Sequence, residues 1–259
     1  MRVLKALAAA ATVLALTVGA ADAKDWSKVK IGTEGAYPPF NYLDSNGDLK
    51  GFDIDVAKAL CEAMKVECEF VTQDWDGIIP ALQAGKFDAI IASMSITEER
   101  MQQVDFTNKY YNTPPAIAVP KDSALAGVTP EDLKGIALGA QGSTTHSNYA
   151  EAKFSEADIK LYPTAEEYKL DVANGRLDAV IDDVVVLSEW LATPEGECCK
   201  ILGTLTPDPV INGPGAGIAI RKGEDDLKEM FNKAIEQIRA DGTYKKINDA
   251  YFAFDVYGG

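Results

Sequence analysis

Ser93, Ser95, Thr97 and Arg100 fall within one short stretch, and Asp182 and Asp183 stand side by side much later in the chain. Arginine offers a carboxylate a planar fork of donors, while aspartate and hydroxyl oxygens offer acceptors to an ammonium. Hydroxyls and a guanidinium on one side, facing carboxylates on the other, suit a zwitterion such as an amino acid. Other chemistry is less well supplied. The single histidine, His146, lies far in sequence from the four cysteines and no C-x-x-C occurs, so no metal centre is expected. Cys61 closes a helical pattern and Cys68 enters a strand-like one, so a bridge across that turn is expected to staple helix to strand. Cys198 and Cys199 are adjacent, which permits a strained vicinal bridge, two free thiols or pairing elsewhere.

The scaffold that must position these groups alternates between strand-like and helix-like periods, which indicates an α/β chain. Lys28–Thr33 is expected as a strand and Phe52–Met64 as an amphipathic helix. Residues 77–84 form a second predicted helix with Pro80 near its first turn, where a missing N–H is tolerated, and residues 87–92 a buried strand. An internal echo links two regions: Gly85-Lys86-Phe87-Asp88-Ala89-Ile90-Ile91 is matched by Gly175-Arg176-Leu177-Asp178-Ala179-Val180-Ile181. Each follows a helical pattern, with glycine as the stop and an apolar strand after it. Ligands of open α/β sheets bind beyond the carboxyl ends of strands, which is where the serines with Arg100, and the two aspartates, would lie. Thr97 and Glu98 also read as a helix start.

Two segments look like crossings between lobes: the Pro-bounded run Pro114-Pro115-Ala116-Ile117-Ala118-Val119-Pro120, and the Gly-rich run from Asn212 to Ile220. The latter lacks G-x-G-x-x-G and G-K-[ST], so it is not a nucleotide loop. Residues 226–240 have helix periodicity, with Met230, Ala234, Ile235 and Ile238 on one face, and would pack back on the first lobe.

At the N-terminus, Arg2 and Lys5 precede an apolar stretch over residues 6–20 and then Ala21-Asp22-Ala23, the pattern of a cleaved secretory leader that leaves Lys24 first. Lys and Arg total 25 against 40 Asp and Glu, a formal charge of -15 that argues against nucleic acid as a partner.

Several longer motifs then resemble the polar amino acid-binding proteins of ABC importers, with the lysine/arginine/ornithine- and histidine-binding proteins closest. They are, in order, Ile31-Gly32-Thr33-Glu34-Gly35-Ala36-Tyr37-Pro38-Pro39-Phe40, Gly51-Phe52-Asp53-Ile54-Asp55, Ser93-Met94-Ser95-Ile96-Thr97-Glu98-Glu99-Arg100, Gln141-Gly142-Ser143-Thr144-Thr145, and Arg239-Ala240-Asp241-Gly242-Thr243-Tyr244. The resemblance implies a two-lobed, type II periplasmic binding protein fold, each lobe a mostly parallel sheet flanked by helices, with two hinge crossings. Its divisions would be a leader over 1–23, a first lobe from 24–114 and 213–259, and a second lobe over 115–212. It further implies no cofactor, a free amino acid ligand, a membrane permease as partner, a monomeric state and a periplasmic location.

The same resemblance assigns roles. Arg100 would hold the α-carboxylate, helped by Thr144 and the backbone of the Gly142-Ser143 turn. Asp183 would hold the α-ammonium with Ser93 and Ser95, Met94 lying between them. Tyr37 and Trp75 would sandwich the side chain. Glu34 matches an Asp that pairs with a cationic side chain in the lysine/arginine/ornithine binders, and Ala92 stands where they carry a Ser; both departures leave Arg, Lys, ornithine, His and opines open. His146 is expected at the surface. The rival expectation is an enzyme on the same fold resembling cyclohexadienyl dehydratase, with Glu34 as general acid/base.

Overall fold

The computed structural model describes Lys24 and residues 26–258; the expected leader lies outside the described residues. The first half of the chain forms β1 (Lys28–Thr33), β2 (Ala36–Tyr37), β3 (Asn41–Leu43), β4 (Leu49–Lys50), α1 (Phe52–Met64), β5 (Glu67–Thr72), α2 (Trp75–Gln83), β6 (Ala89–Ile90), α3 (Glu98–Met101) and β7 (Asp105–Tyr111). There follow β8 (Pro115–Pro120), β9 (Ala137–Gln141), α4 (Thr145–Lys153), β10 (Asp158–Tyr162), α5 (Ala165–Ala173), β11 (Ala179–Asp183), α6 (Val184–Leu191), β12 (Cys199–Thr204), α7 (Pro209–Asn212), β13 (Ala216–Ile220), α8 (Asp225–Ala240) and α9 (Thr243–Tyr251).

Two sheets of the same design result, ordered β5-β1-β6-β13-β7 and β10-β9-β11-β8-β12. In each, three strands pair parallel and a fourth enters antiparallel: β13 between β6 and β7, and β8 between β11 and β12. Those intruders are the two segments read as crossings. Each passes from one lobe into the sheet of the other, so the single antiparallel member of each sheet marks a hinge. A small sheet, β2-β3-β4, flanks the first lobe.

The echo is a repeat of bonding as well as of sequence. Gly85 and Gly175 end α2 and α5 at φ 75° and 70°, left-handed values that a Cβ would disfavour. The next residues, Lys86 and Arg176, donate back to the Ala81 and Asp171 carbonyls. Asp88 then accepts from Lys30 N, and Asp178 from Ala137 N, fixing each unit on its neighbouring strand at 2.9 and 2.8 Å.

α1 lays Phe52, Val56 and Leu60 into an apolar cluster with Phe231, Ile235 and Ile238 of α8. The Cys61–Cys68 disulfide joins the end of α1 to β5, with a Cα–Cα distance of 6.2 Å. Several expectations need correction. α2 begins at Trp75, so Pro80 falls inside the helix and not in its first turn. The strand predicted over 87–92 keeps only Ala89–Ile90 in the ladder, because the chain turns at Ser93, whose φ is 54°. On α8 the buried face is centred on Phe231, leaving Met230 half-buried.

Candidate functional site

The carboxyl ends of the parallel strands of both sheets converge on one cleft. Glu34 follows β1, Trp75 follows β5, Ser93 and Ser95 follow β6, Gln141 ends β9 with Thr144, Thr145 and His146 after it, and Asp183 ends β11. The two hinge links complete the lining with Asn112, Thr113 and Pro115 on one side and Asn212 and Gly215 on the other. About 640 Å³ lies between them, part of it open to solvent.

Arg100 reaches this cleft from α3, whose start is fixed by Thr97 accepting from Arg100 N. Its guanidinium is buried, donates to the carbonyls of Ser95 (3.0 Å) and Ser143 (3.2 Å), and sits 5.3 Å from the centre of the Trp75 ring. Burial brings it down to about 10, so it stays cationic at neutral pH. Among the described residues no carboxylate pairs with it. A buried, unpaired cation is a costly arrangement that an incoming anion relieves.

Two acids, the buried Asp183 and the partly buried Glu34, line the same cleft. Asp183 caps α6 by accepting from Val185 N at 2.7 Å, and also accepts from the Thr113 hydroxyl. Burial and the adjacent Asp182 charge raise its carboxyl to about 7 against those hydrogen bonds. Glu34 accepts from Gln141 Nε2 at 2.6 Å; burial, opposed by that bond and reinforced by the charges of Asp182, Asp74 and Asp76, pushes it to about 7 as well. Neither has a basic side chain as partner among the described residues.

Asp182 is built differently from Asp183. It accepts from the hydroxyls of Tyr37 (2.6 Å) and Tyr168 and from Asp183 N (2.7 Å), and His146 Nδ1 lies 3.1 Å away. Its acceptor capacity is taken up in holding Tyr37 against the second lobe. Likewise Asp53, fully buried, accepts from Tyr110, Asn41 and Ser93. It steadies the Ser93 hydroxyl from behind, and burial lifts its own carboxyl to about 6.

Of the expected residues, Glu34, Tyr37, Trp75, Ser93, Ser95, Arg100, Thr144 and Asp183 are brought together. Met94 is not: its side chain is in the core with Ile78, Leu82 and Phe87, and its carbonyl accepts from Gly217. Gly142 turns away to donate to Tyr162 O, and Ser143 presents only its carbonyl, to Arg100 and to Trp75 Nε1 (3.0 Å). Thr144 spends its hydroxyl and N–H on a capping box with Ser147 and on Gln141 O, whereas the hydroxyl of Thr145, the next residue, shares a 3.4 Å hydrogen bond with Ser95 Oγ across the cleft. His146 is not a surface residue: its side chain is 16% exposed and lines the cleft. Burial lowers its pKa, Asp182 raises it and Arg100 lowers it. Thr145, His146, Asn112 and Thr113 were missed by sequence reasoning. The longer Q-G-S-T-T-H run was the available signal for the first two; the hinge pair had none.

Hydrogen bonds from Trp75 and Arg100 to Ser143, from Gln141 to Glu34 and from Tyr37 to Asp182 all span the cleft, so the lobes are closed on each other.

The sequence profile of the bacterial extracellular solute-binding proteins, family 3, matches residues 29–254. The L-arginine-binding protein of Pseudomonas aeruginosa is 46% identical over 254 residues, 97% of this chain and 96% of that protein. The histidine-binding periplasmic protein of Escherichia coli is 40% identical over 234 residues, 89% of this chain and 90% of that one. Among solved structures, an ancestral arginine-binding protein bound to arginine superposes with a TM-score of 0.81 at 40% identity, covering 88% of this chain and 99% of that one.

Proposed function

Because the chain belongs to the bacterial extracellular solute-binding proteins of family 3, we propose that its cleft captures a free cationic amino acid in the periplasm and presents it to the permease of an ABC importer. One observation carries the reading. Among the described residues, one buried cation, Arg100, and two acids raised to about 7, the buried Asp183 and the partly buried Glu34, line one cleft without partners of opposite charge. A cationic amino acid is their complement, with one carboxylate and two positive groups.

In this reading the α-carboxylate docks on Arg100 with Thr145 and the start of α4, where the helix dipole adds to the attraction. The α-ammonium is held by Asp183, Ser93 and Ser95. Tyr37 and Trp75 flank the side chain, and its positive end meets Glu34. Arg100 and Asp183 belong to different lobes, so only the closed state satisfies both ends of the ligand, and the ligand favours closure by that difference in contact. Residues 1–23 would act as the cleaved export leader. A substrate lacking an ammonium would leave Asp183 buried and unpaired, which sets the binding role above the dehydratase-like one.

Calorimetric titration of ligand-stripped protein with arginine, lysine, ornithine, histidine, glutamine, glutamate, octopine and nopaline tests this. Micromolar or tighter binding, about -8 kcal/mol or better, confined to cationic amino acids is expected. Preference for glutamate or glutamine would sink the assignment of Glu34, and binding of none of them would reopen the enzymatic alternative.

A further inference from the structure

The structure assigns a second redox site: we propose that Cys198 and Cys199 close into a vicinal disulfide once the protein is exported, distinct in position and chemistry from Cys61–Cys68. The two sulfurs lie 2.7 Å apart, well inside the separation of unbonded sulfur atoms though longer than the ~2.05 Å of a formed disulfide. The backbone on both sides is already anchored in a way that holds them there. Lys121 N donates to Cys198 O at 2.9 Å, Cys199 pairs with Pro120 in the β8–β12 ladder, and Cys198 Sγ contacts the Glu195 carbonyl at 3.6 Å.

The two thiols are also unequal in a way that orders the chemistry. Cys198 is exposed and Cys199 is buried. Burial, and then the neighbouring Cys198, raise the Cys199 thiol to about 12, with Lys121 lowering and Asp122 raising it to lesser degrees. Cys198 is therefore the sulfur that meets an external disulfide, such as oxidised glutathione or an oxidising dithiol protein of the export compartment. Its thiolate attacks one sulfur of that disulfide, forming a mixed disulfide and releasing one external thiolate. Cys199 then gives up its proton and attacks Cys198 Sγ, and the second external sulfur leaves as a thiol. Two cysteine thiols are oxidised and one external disulfide is reduced.

The product is an eight-membered ring spanning one peptide unit. Adjacent Cα atoms lie about 3.8 Å apart, below the span disulfides ordinarily bridge, so the ring is strained and opens more readily than Cys61–Cys68. It sits at the Pro120 end of the β8–β12 ladder, while the cleft-facing end of that ladder is Ala116 with Thr204. Closing it locks the start of β12 without touching the ligand.

The test uses the full chain exported with its own leader, trapped with a maleimide in denaturant and mapped by mass spectrometry. Expected is a monomer that takes no label as exported, and that takes a label on each of Cys198 and Cys199 after brief mild reduction that leaves Cys61–Cys68 bridged. Labelling of both residues without reduction, a glutathione adduct on Cys198, or a disulfide-linked dimer would each overturn the proposal. Cys199→Ser supplies the internal control. It strands Cys198 as a lone thiol, so it becomes labelled or adducted as exported, while ligand affinity stays at the wild-type value; a Cys199→Ser protein in which Cys198 takes neither label nor adduct in denaturant would mean that Cys198 is bonded to a partner other than Cys199, and would overturn the proposal.

Discussion

Gly85 and Gly175 both turn left-handed after a helix, and both are followed by an aspartate that accepts from the backbone of the neighbouring strand. Beyond their strands the two lobes part company. The first continues through Ser93 and Ser95 to Arg100; the second ends in Asp182 and Asp183. Identical backbone machinery thus delivers a guanidinium to one wall of the cleft and carboxylates to the other. The difference teaches that the repeated unit fixes where strands end, while ligand chemistry resides in the few residues past the end. Even neighbours divide the work: Asp182 accepts from Tyr37, Tyr168 and a backbone N–H, whereas Asp183 accepts from Val185 N and Thr113 and lines the cleft.

The sharpest way to break the comparison is on the first wall. Arg100→Ala removes the buried guanidinium from the cleft, and is expected to cost about 3 kcal/mol or more, roughly 100-fold in affinity, by calorimetry. Wild-type affinity in that variant would mean that the carboxylate is held elsewhere. On the second wall, Asp183→Asn preserves the cap on α6 and the shape of the site but removes the charge. A loss of about 1.5 to 3 kcal/mol in binding is expected, with little change in melting temperature.

How far this division could be read from the sequence depends on the range of the interactions. α1 matched its predicted limits because its apolar spacing and the left-handed Lys65 that ends it are local. The serine–arginine stretch and the aspartate pair were legible as chemistry because their residues are contiguous. Hidden from the sequence were contacts made by folding distant segments together. His146 meets Asp182 across 36 residues of sequence, Thr113 meets Asp183 across 70, and Asp53 meets Ser93 across 40. Nor did spacing distinguish Thr145 from Thr144, since the capping box that occupies Thr144 depends on Ser147.

Glu34 blurs the division, because it brings an acid to the cationic wall, and pH is the means of testing it. Its carboxyl and that of Asp183 are raised to about 7 in the folded, ligand-free protein, above the ~4 of an unfolded chain. Between those values the folded state binds more protons than the unfolded one. Their contribution to stability is therefore full below about pH 4 and is lost as pH rises through about 7. Binding of a cation favours the ionised forms, so arginine affinity should climb from pH 5 to pH 8 with proton release, measurable as a dependence of the calorimetric heat on buffer ionisation enthalpy. Glu34→Gln should reduce that proton release and weaken arginine by about tenfold, or 1.4 kcal/mol, while leaving glutamine unaffected. Equal losses for both ligands would place the cationic side chain away from Glu34.

The smallest effect bears on the sameness of the two units. A Cβ added at Gly85 or Gly175 meets nothing within 4 Å, so Gly→Ala at either position has no clash to report, only the cost of a left-handed backbone. That cost is about 1 kcal/mol for an L-residue, and it should appear equally in the two variants as a lowered denaturation midpoint without loss of ligand affinity. The packing around the units is also paired: Gly32 of β1 lies against the Phe87 ring and Gly139 of β9 against the Leu177 side chain, so Phe87 and Leu177 hold the same place in each lobe. If Gly85→Ala and Gly175→Ala instead differ several-fold, the lobes share a hydrogen-bonding pattern but not an energetic one, and the repeat is then a likeness of geometry to which each lobe has adapted its own packing.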